Sequence, residues 1–274
     1  MQKSLRKIAA KETLEIMNKG FYVTDEGYKV SIKKEQAFTE DSAKYFSSEE
    51  LEDLLNSLQI TKQFDTEIEV TNESTLEAIQ RLHQEEVEDA MTLNFASAKN
   101  PGGGFLNGAQ AQEESVARSS GLYHTQMNNY EFYERHRGMK SCVYTDSMIY
   151  SPKVPFFRNV KGKLLAEPIL SSVITSAAVN AGVVKRKESK NAKRIEEFMD
   201  MRIDKLLAMS YEQEHEVLIL GAWGCGVFQN DPEIIARLFK EQLKGKYKNA
   251  FKRVVFAIYS RNEKFINAFK KELE

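Results

Sequence analysis

Apolar positions along the chain change period several times, and each change marks an element. Leu5, Ile8, Ala9, Leu14, Ile16 and Met17 recur at loosely helical spacing within 3–19, and Gly20 stands where a helix terminator belongs, so a helix is predicted there. The stretch 21–30 predicts a short hairpin about Asp25-Glu26-Gly27. Ser47 with Glu50, and Ser74 with Glu77, each form a capping-box pattern ahead of a helical apolar run. Residues 68–70 and 91–96 read as strands, the second leading through glycines into a helix over about 112–123. A polar, tyrosine-rich segment follows. Residues 147–150 read as a strand ended by Pro152 and Pro155, with a loop to follow, because proline removes backbone donors. The β-branched run 169–175 predicts a buried strand with a small-residue loop, 177–182, at its carboxyl end. An amphipathic helix covers about 191–213, and 216–220 is a strand entering a second glycine loop. Asp231-Pro232 opens a helix as N-cap and N1 proline, before a last strand at 253–259 and a last helix at 262–270.

Strands alternating with helices predict an α/β fold of three layers, α/β/α, with ligand loops at the carboxyl ends of the strands. Residues 1–60 read as an N-terminal helical extension packed on the core, and 61–274 as one catalytic body without internal repeats.

Composition narrows the partners. A net charge of −1 supplies no general field for a polyanion, and no apolar run reaches the length of a membrane span. The first residues carry charges where an export signal needs an apolar core, so a cytoplasmic protein is expected. Cys142 and Cys225 are too few for a disulfide framework or a thiolate zinc site, and His83, His124, His136 and His215 lack ligand spacing, so no metal is expected.

The chemistry concentrates in 93–123. Gly102-Gly103-Gly104 follows one apolar strand and Gly224-Cys225-Gly226 another, each ahead of a helix. Glycine exposes backbone N–H groups to an anion without a Cβ in the way, and two such loops suit a diphosphate. A Walker loop and a Gly-x-Gly-x-x-Gly pattern are both absent, which argues against a nucleoside triphosphatase or a nicotinamide dehydrogenase. After Gly104 and seven intervening residues, 105–111, stand Gln112, Glu113 and Glu114. They are either first-turn acids complementing a helix dipole or acids returned to the ligand by the loop. A general acid at Glu114 needs a raised pKa, whereas the helix start and Arg118, four residues on, favour the carboxylate.

The triple glycine, seven residues and Gln-Glu-Glu resemble the signature of the bacterial-type poly(ADP-ribose) glycohydrolases, which belong to the macrodomains. The resemblance continues through 93–98, 115–123, 150–152, 173–176 and 224–232, with 68–76 also similar. It implies a macrodomain with a mixed central sheet and an ADP-ribose cleft. It implies that Gly102, Gly103 and Gly104 line the distal ribose and diphosphate. Gly224, Cys225, Gly226 and Val227 would form the other diphosphate loop, with Phe228 packed on the ligand. Asn94, Asn100 and Gln112 are expected to contact ribose or organise the catalytic loop. By the same resemblance Glu114 is the proton carrier and Glu113 orients the substrate hydroxyls, for cleavage of the ribose–ribose O-glycosidic bond without cofactor or metal. Expected partners are poly(ADP-ribose) or ADP-ribosylated proteins, with ADP-ribose as product and neither membrane nor sequence-specific nucleic acid. An ADP-ribose-binding module without turnover and a mono(ADP-ribosyl) hydrolase are the alternatives. Phe156 and Phe157 are open to two readings, an adenine wall or core.

Overall fold

The structure, a computed structural model, describes residues 1–260 and 263–274. In chain order the elements are α1 (Lys3–Lys19), β1 (Phe21–Val23), β2 (Lys29–Ser31), α2 (Lys33–Ser42), β3 (Lys44–Phe46), α3 (Ser48–Ser57), β4 (Glu67–Thr71), α4 (Thr75–Gln84) and β5 (Met91–Phe95). After a 3-10 turn at Phe105–Asn107 come α5 (Gln112–Ser119), α6 (Leu122–Asn128), α7 (Glu131–Gly138), β6 (Met148–Arg158) and β7 (Leu164–Ser176). The chain closes with α8 (Ala181–Lys187), α9 (Ser189–Ala192), α10 (Ile195–Glu212), β8 (Val217–Leu220), α11 (Pro232–Lys244), β9 (Arg253–Ala257) and α12 (Lys264–Leu273). The expected start of the last helix at Asn262 lies outside the described residues.

Seven strands form one mixed sheet in the order β3-β6-β7-β5-β8-β9-β4, and β1 and β2 form a separate antiparallel pair. The five strands from β7 to β4 are parallel, while β6 runs antiparallel to β7 and β3. Both faces of the sheet are covered, so the central strand β8 is apolar and buried throughout and side chains alternate between two cores. On β9, Val254 and Phe256 join the cluster under α10, α11 and α12, while Val255 and Ala257 join the one under α4 and α5. Among the described residues no helix is long and apolar enough to cross a membrane.

The local signals act as expected where side chains reach their own backbone. Both capping boxes form, Gly20 is left-handed at φ 71°, and the Asp231 side chain accepts from the Glu233 N–H. Two expectations are corrected. The strand at 147–150 does not end at its prolines: β6 continues to Arg158, absorbing them through a register shift between Ser151 and Val154 with Lys153 at φ 48°. Its outer neighbour β3 reaches only Tyr150, so the proline-bearing part has no sheet partner on that side to disappoint. The helix expected over 112–123 stops at Ser119. Ser120 is extended and bridges Phe156, the Gly121 N–H donates to the Pro155 carbonyl, and Gln36 of α2 donates to the Gly121 carbonyl. The tyrosine-rich segment, to which the sequence pattern assigns no element, carries the helix pair α6 and α7.

Candidate active site

β5 and β8 are neighbours only at Met91 and Thr92, and beyond that point they part. The parting leaves the Leu93 carbonyl and the Phe95 N–H without a strand partner on that side. Gln112 fills the gap: its Nε2 donates to the Leu93 carbonyl (2.8 Å) and its Oε1 accepts from the Phe95 N–H (2.9 Å), as a peptide group would. The same Nε2 reaches Thr75 Oγ1 at 3.2 Å. Gln112 therefore fixes the first residue of α5 against the sheet, and its amide is spent within the protein.

With Gln112 fixed, the next two residues are aimed. Glu113 is buried, its Oε2 accepting from the Ser97 N–H (2.7 Å) and its Oε1 from Asn94 Nδ2 (3.3 Å) and Gln126 Nε2 (3.4 Å). Burial pushes the Glu113 carboxyl up to about 8; the Ser97 and Asn94 donors pull it down, the Glu114 charge adds to the rise, and Gln126 opposes it. Glu114 is half-buried, and its Oε1 accepts from the Gly104 N–H at 3.0 Å. Arg118 does not ion-pair with it: its guanidinium donates to the Gln110 Oε1 and the Ala109 carbonyl, so the acid's nearest charged neighbour in sequence is Glu113.

The glycine loop lies directly on this pair. Gly102 and Gly103 are left-handed (φ 63° and 59°), and a Cβ on Gly103 would stand 2.5 Å from Glu114 Oε1 and 3.0 Å from Glu113 Oε2. The two carboxylates thus flank one backbone position whose left-handed conformation and close approach favour glycine. The loop is braced from behind by α1, where Arg6 Nε donates to the Gly108 carbonyl (2.8 Å) and Thr13 Oγ1 to the Arg118 carbonyl (2.6 Å). Asn100 is exposed, with its backbone carbonyl accepting from the Gly103 N–H.

The second loop leaves the same edge of the sheet, from β8 beside β5, and Gly221 at its root would put a Cβ 3.0 Å from the Phe95 ring. Asn230 closes it by donating to the Gly224 and Val179 carbonyls. Gly224 is left-handed at φ 72°, and a Cβ there would meet Ala178 and Asn230 at 2.6 Å. Gly226 is different, since a Cβ there meets nothing within 4 Å. Val227 is 83% exposed, Phe228 is half-buried against Tyr144, and Cys225 is buried with its thiol pushed up to about 12 by desolvation.

The structure thus brings Asn94, Gln112, Glu113, Glu114 and Gly102–Gly104 into one cluster, with Gly224–Phe228 on the adjoining strand end. Phe156 and Phe157 are core. Gln126 and the Ser97 N–H went unmarked in the sequence. Ser97 lies inside the 93–98 motif, but Gln126 carries no local signal, because only the fold of α6 brings it to Glu113. Among the described residues its Oε1, the Asn94 Oδ1 and the Tyr133 hydroxyl are buried without a hydrogen-bond partner. Among the described residues no group of three or more His, Cys, Asp or Glu is arranged to hold a metal ion.

A mixed sheet with two glycine loops at adjacent strand ends and a paired-glutamate helix start is the arrangement that the resemblance to the macrodomain glycohydrolases implies. The family model for the microbial-type PARG, catalytic domain, matches residues 10–159. The chain belongs to this family, the microbial-type poly(ADP-ribose) glycohydrolases, glycosidases acting on poly(ADP-ribose). It is similar to poly(ADP-ribose) glycohydrolase from Thermomonospora curvata, at 38% identity and TM-score 0.94 over 98% of this chain and 100% of that one. The same Thermomonospora protein bound to the inhibitor ADP-HPD gives a TM-score of 0.91 at 38% identity, over 98% and 99% of the chains. The Deinococcus radiodurans glycohydrolase in complex with ADP-ribose gives 0.83 at 41% identity, over 87% of this chain and 97% of that one. No curated protein matches the chain.

Proposed function

We propose that the chain hydrolyses the ribose–ribose O-glycosidic bond of poly(ADP-ribose), with Glu114 as the group that carries the proton and Glu113 as the group that orients the ribose hydroxyls. The observation that carries this reading is the asymmetry of the pair. Glu113 is buried and held by three donors, whereas Glu114 is half-buried and, among the described residues, held by the Gly104 N–H. A group that must protonate a departing oxygen and then take a proton from water needs access to both, and Glu114 has it.

In this reading the ADP-ribose unit lies across Gly102–Gly104 and Gly224–Val227, whose N–H groups take the diphosphate, with Phe228 against the ligand. Asn94 acts through Glu113 and Gln112 through the backbone of α5. Glu114 gives its proton to the 2′-oxygen as the anomeric carbon gains oxocarbenium character, and the resulting carboxylate deprotonates the attacking water. The diphosphate, and the Glu114 carboxylate as it forms, place negative charge near the developing cation. The division of the chain follows: 61–274 carry the site and 1–60 brace it through Arg6 and Thr13. Relatives bound to ADP-ribose and to ADP-HPD support the choice of ligand.

Purified protein incubated with labelled poly(ADP-ribose) and, separately, with a mono(ADP-ribosyl)ated protein tests the reading. Release of ADP-ribose from the polymer, with the acceptor-linked unit left in place, is the expected result. A protein that binds the polymer without shortening it, or that clears only the acceptor-linked unit, contradicts it.

A further inference from the structure

The chain as a whole is electrically almost neutral, yet six of the ten residues 185–194 are cations: Lys185, Arg186, Lys187, Lys190, Lys193 and Arg194. Cations in the last turn of α8 complement its terminal carbonyls, which accounts for the first three and not for the rest. All six side chains belong to exposed residues. The one acid among them, Glu188, turns inward, where its carboxylate accepts from the Ser141 hydroxyl (2.6 Å), the Cys142 N–H (2.7 Å) and Asn191 Nδ2 (2.7 Å). Arg194 pairs with Glu197, but among the described residues none of the other five lies within ion-pair distance of a carboxylate.

This ridge adjoins the second glycine loop. The Gly182 N–H in the first turn of α8 donates to the Phe228 carbonyl (3.0 Å), and a Cβ on Gly182 would meet Gln229 Oε1 at 2.5 Å. Lys185 and Lys193 face a cavity of about 170 Å³ together with Asn230 and Asp231, at the foot of that loop. From the loop the ridge extends for up to roughly 15 Å at a helical rise per residue. Among the described residues, five cations free of carboxylate partners are thus held beside the place where the proposed ligand's diphosphate sits, on a chain whose net charge is −1.

We infer that the α8–α9 ridge is a second binding surface for the substrate, on which Lys185, Arg186, Lys187, Lys190 and Lys193 hold the diphosphates of ADP-ribose units of the polymer beyond the two joined by the bond that is cut. The inference rests on the proposed polymer hydrolysis. Each unit of the polymer repeats the same diphosphate, so a chain leaving the cleft carries anions onto the ridge, and long polymer is favoured over its shortest piece. Two or three such contacts give a salt dependence that weakens binding on the order of ten-fold between about 50 and 200 mM salt.

The test is a variant in which Lys185, Arg186, Lys187, Lys190 and Lys193 are all changed to glutamine, compared with the wild type on long polymer and on the two-unit oligomer at both salt concentrations. The expected result is a KM for long polymer raised on the order of ten-fold at low salt with its salt dependence flattened, while kcat and all constants for the oligomer stay unchanged and the melting temperature falls by no more than a few degrees as the α8 terminus loses its cations. An unchanged KM for long polymer overturns the inference and leaves the hydrolytic reading intact, as does an equal loss on both substrates. Single-stranded RNA added as competitor separates the occupants: if RNA binds the ridge more tightly than polymer does, the partner is nucleic acid and the inference fails. Wild type inactive on both substrates refutes the hydrolytic reading itself, and the inference with it.

Discussion

Replacing Gly103 by alanine probes the contact between the glycine loop and the acids. The backbone there is left-handed at φ +59°, which costs an alanine about 1–2 kcal/mol. A domain with about 5–15 kcal/mol of stability tolerates that. At about 2–4 °C per kcal/mol, the melting temperature falls by roughly 2–8 °C. The larger effect is local. The new Cβ stands 2.5 Å from Glu114 Oε1, against ordinary contacts of 3.4–4 Å, so the carboxylate at the end of its flexible side chain must retreat and strain its 3.0 Å hydrogen bond from the Gly104 N–H. A reacting group misplaced by about 1 Å costs on the order of 10²-fold in rate. The assay is kcat on saturating poly(ADP-ribose), with ADP-ribose affinity and melting temperature measured on the same preparation. A folded Gly103→Ala protein with kcat within about two-fold of wild type refutes the reasoning, since that position of Glu114 would then not matter to the rate.

Gly226→Ala is the counterpart at the second loop: its Cβ meets nothing within 4 Å, so melting is expected to stay put while calorimetry finds weaker ADP-ribose binding, and unchanged affinity would remove this glycine from the ligand's path. Gln112→Ala leaves the Leu93 carbonyl and Phe95 N–H without partners, and denaturant titration should show a loss of about 2–3 kcal/mol; a loss below about 0.5 kcal/mol would mean that the strand-like clamp carries no weight. Glu113 gives stability a pH slope. An ordinary glutamate titrates at 4.5 and Glu113 at about 8, so between those values the folded chain keeps a proton that the unfolded chain has released. Its contribution to stability is full below about pH 4.5, falls as pH rises by at most about 1.4 kcal/mol per unit, and is gone above about pH 8. Denaturation of wild type and Glu113→Gln across this range checks it, and parallel pH profiles would contradict it.

Much of the frame was legible because its signals are local. Capping boxes, an N-cap aspartate before proline and a terminal glycine act through their own backbone, and both glycine loops and the glutamate pair stood out as residue types. What escaped depends on distant partners. α2 has a weak apolar pattern and β3 is a three-residue edge strand that exists by pairing with β6. The prolines of β6 stop a strand only where a neighbour needs their N–H, and the break at Ser120 is set by β6 and Gln36. At the site, adjacency in sequence hid the difference between the two acids. One turns into the core to meet Asn94, Gln126 and Ser97 while the next meets Gly104, so burial falls on Glu113, and Arg118, which the sequence sets four residues from Glu114, turns to donate to Gln110 instead of pairing with that acid.

The central claim is that Glu114 moves the proton. The most direct measurement follows labelled poly(ADP-ribose) with wild type and Glu114→Gln side by side, separating free ADP-ribose from shortened polymer and measuring ADP-ribose affinity for both proteins. The account predicts ADP-ribose release by the wild type, turnover lost by three orders of magnitude or more in Glu114→Gln, and affinity within about three-fold. Glu114→Gln releasing ADP-ribose at a rate near the wild type would contradict it.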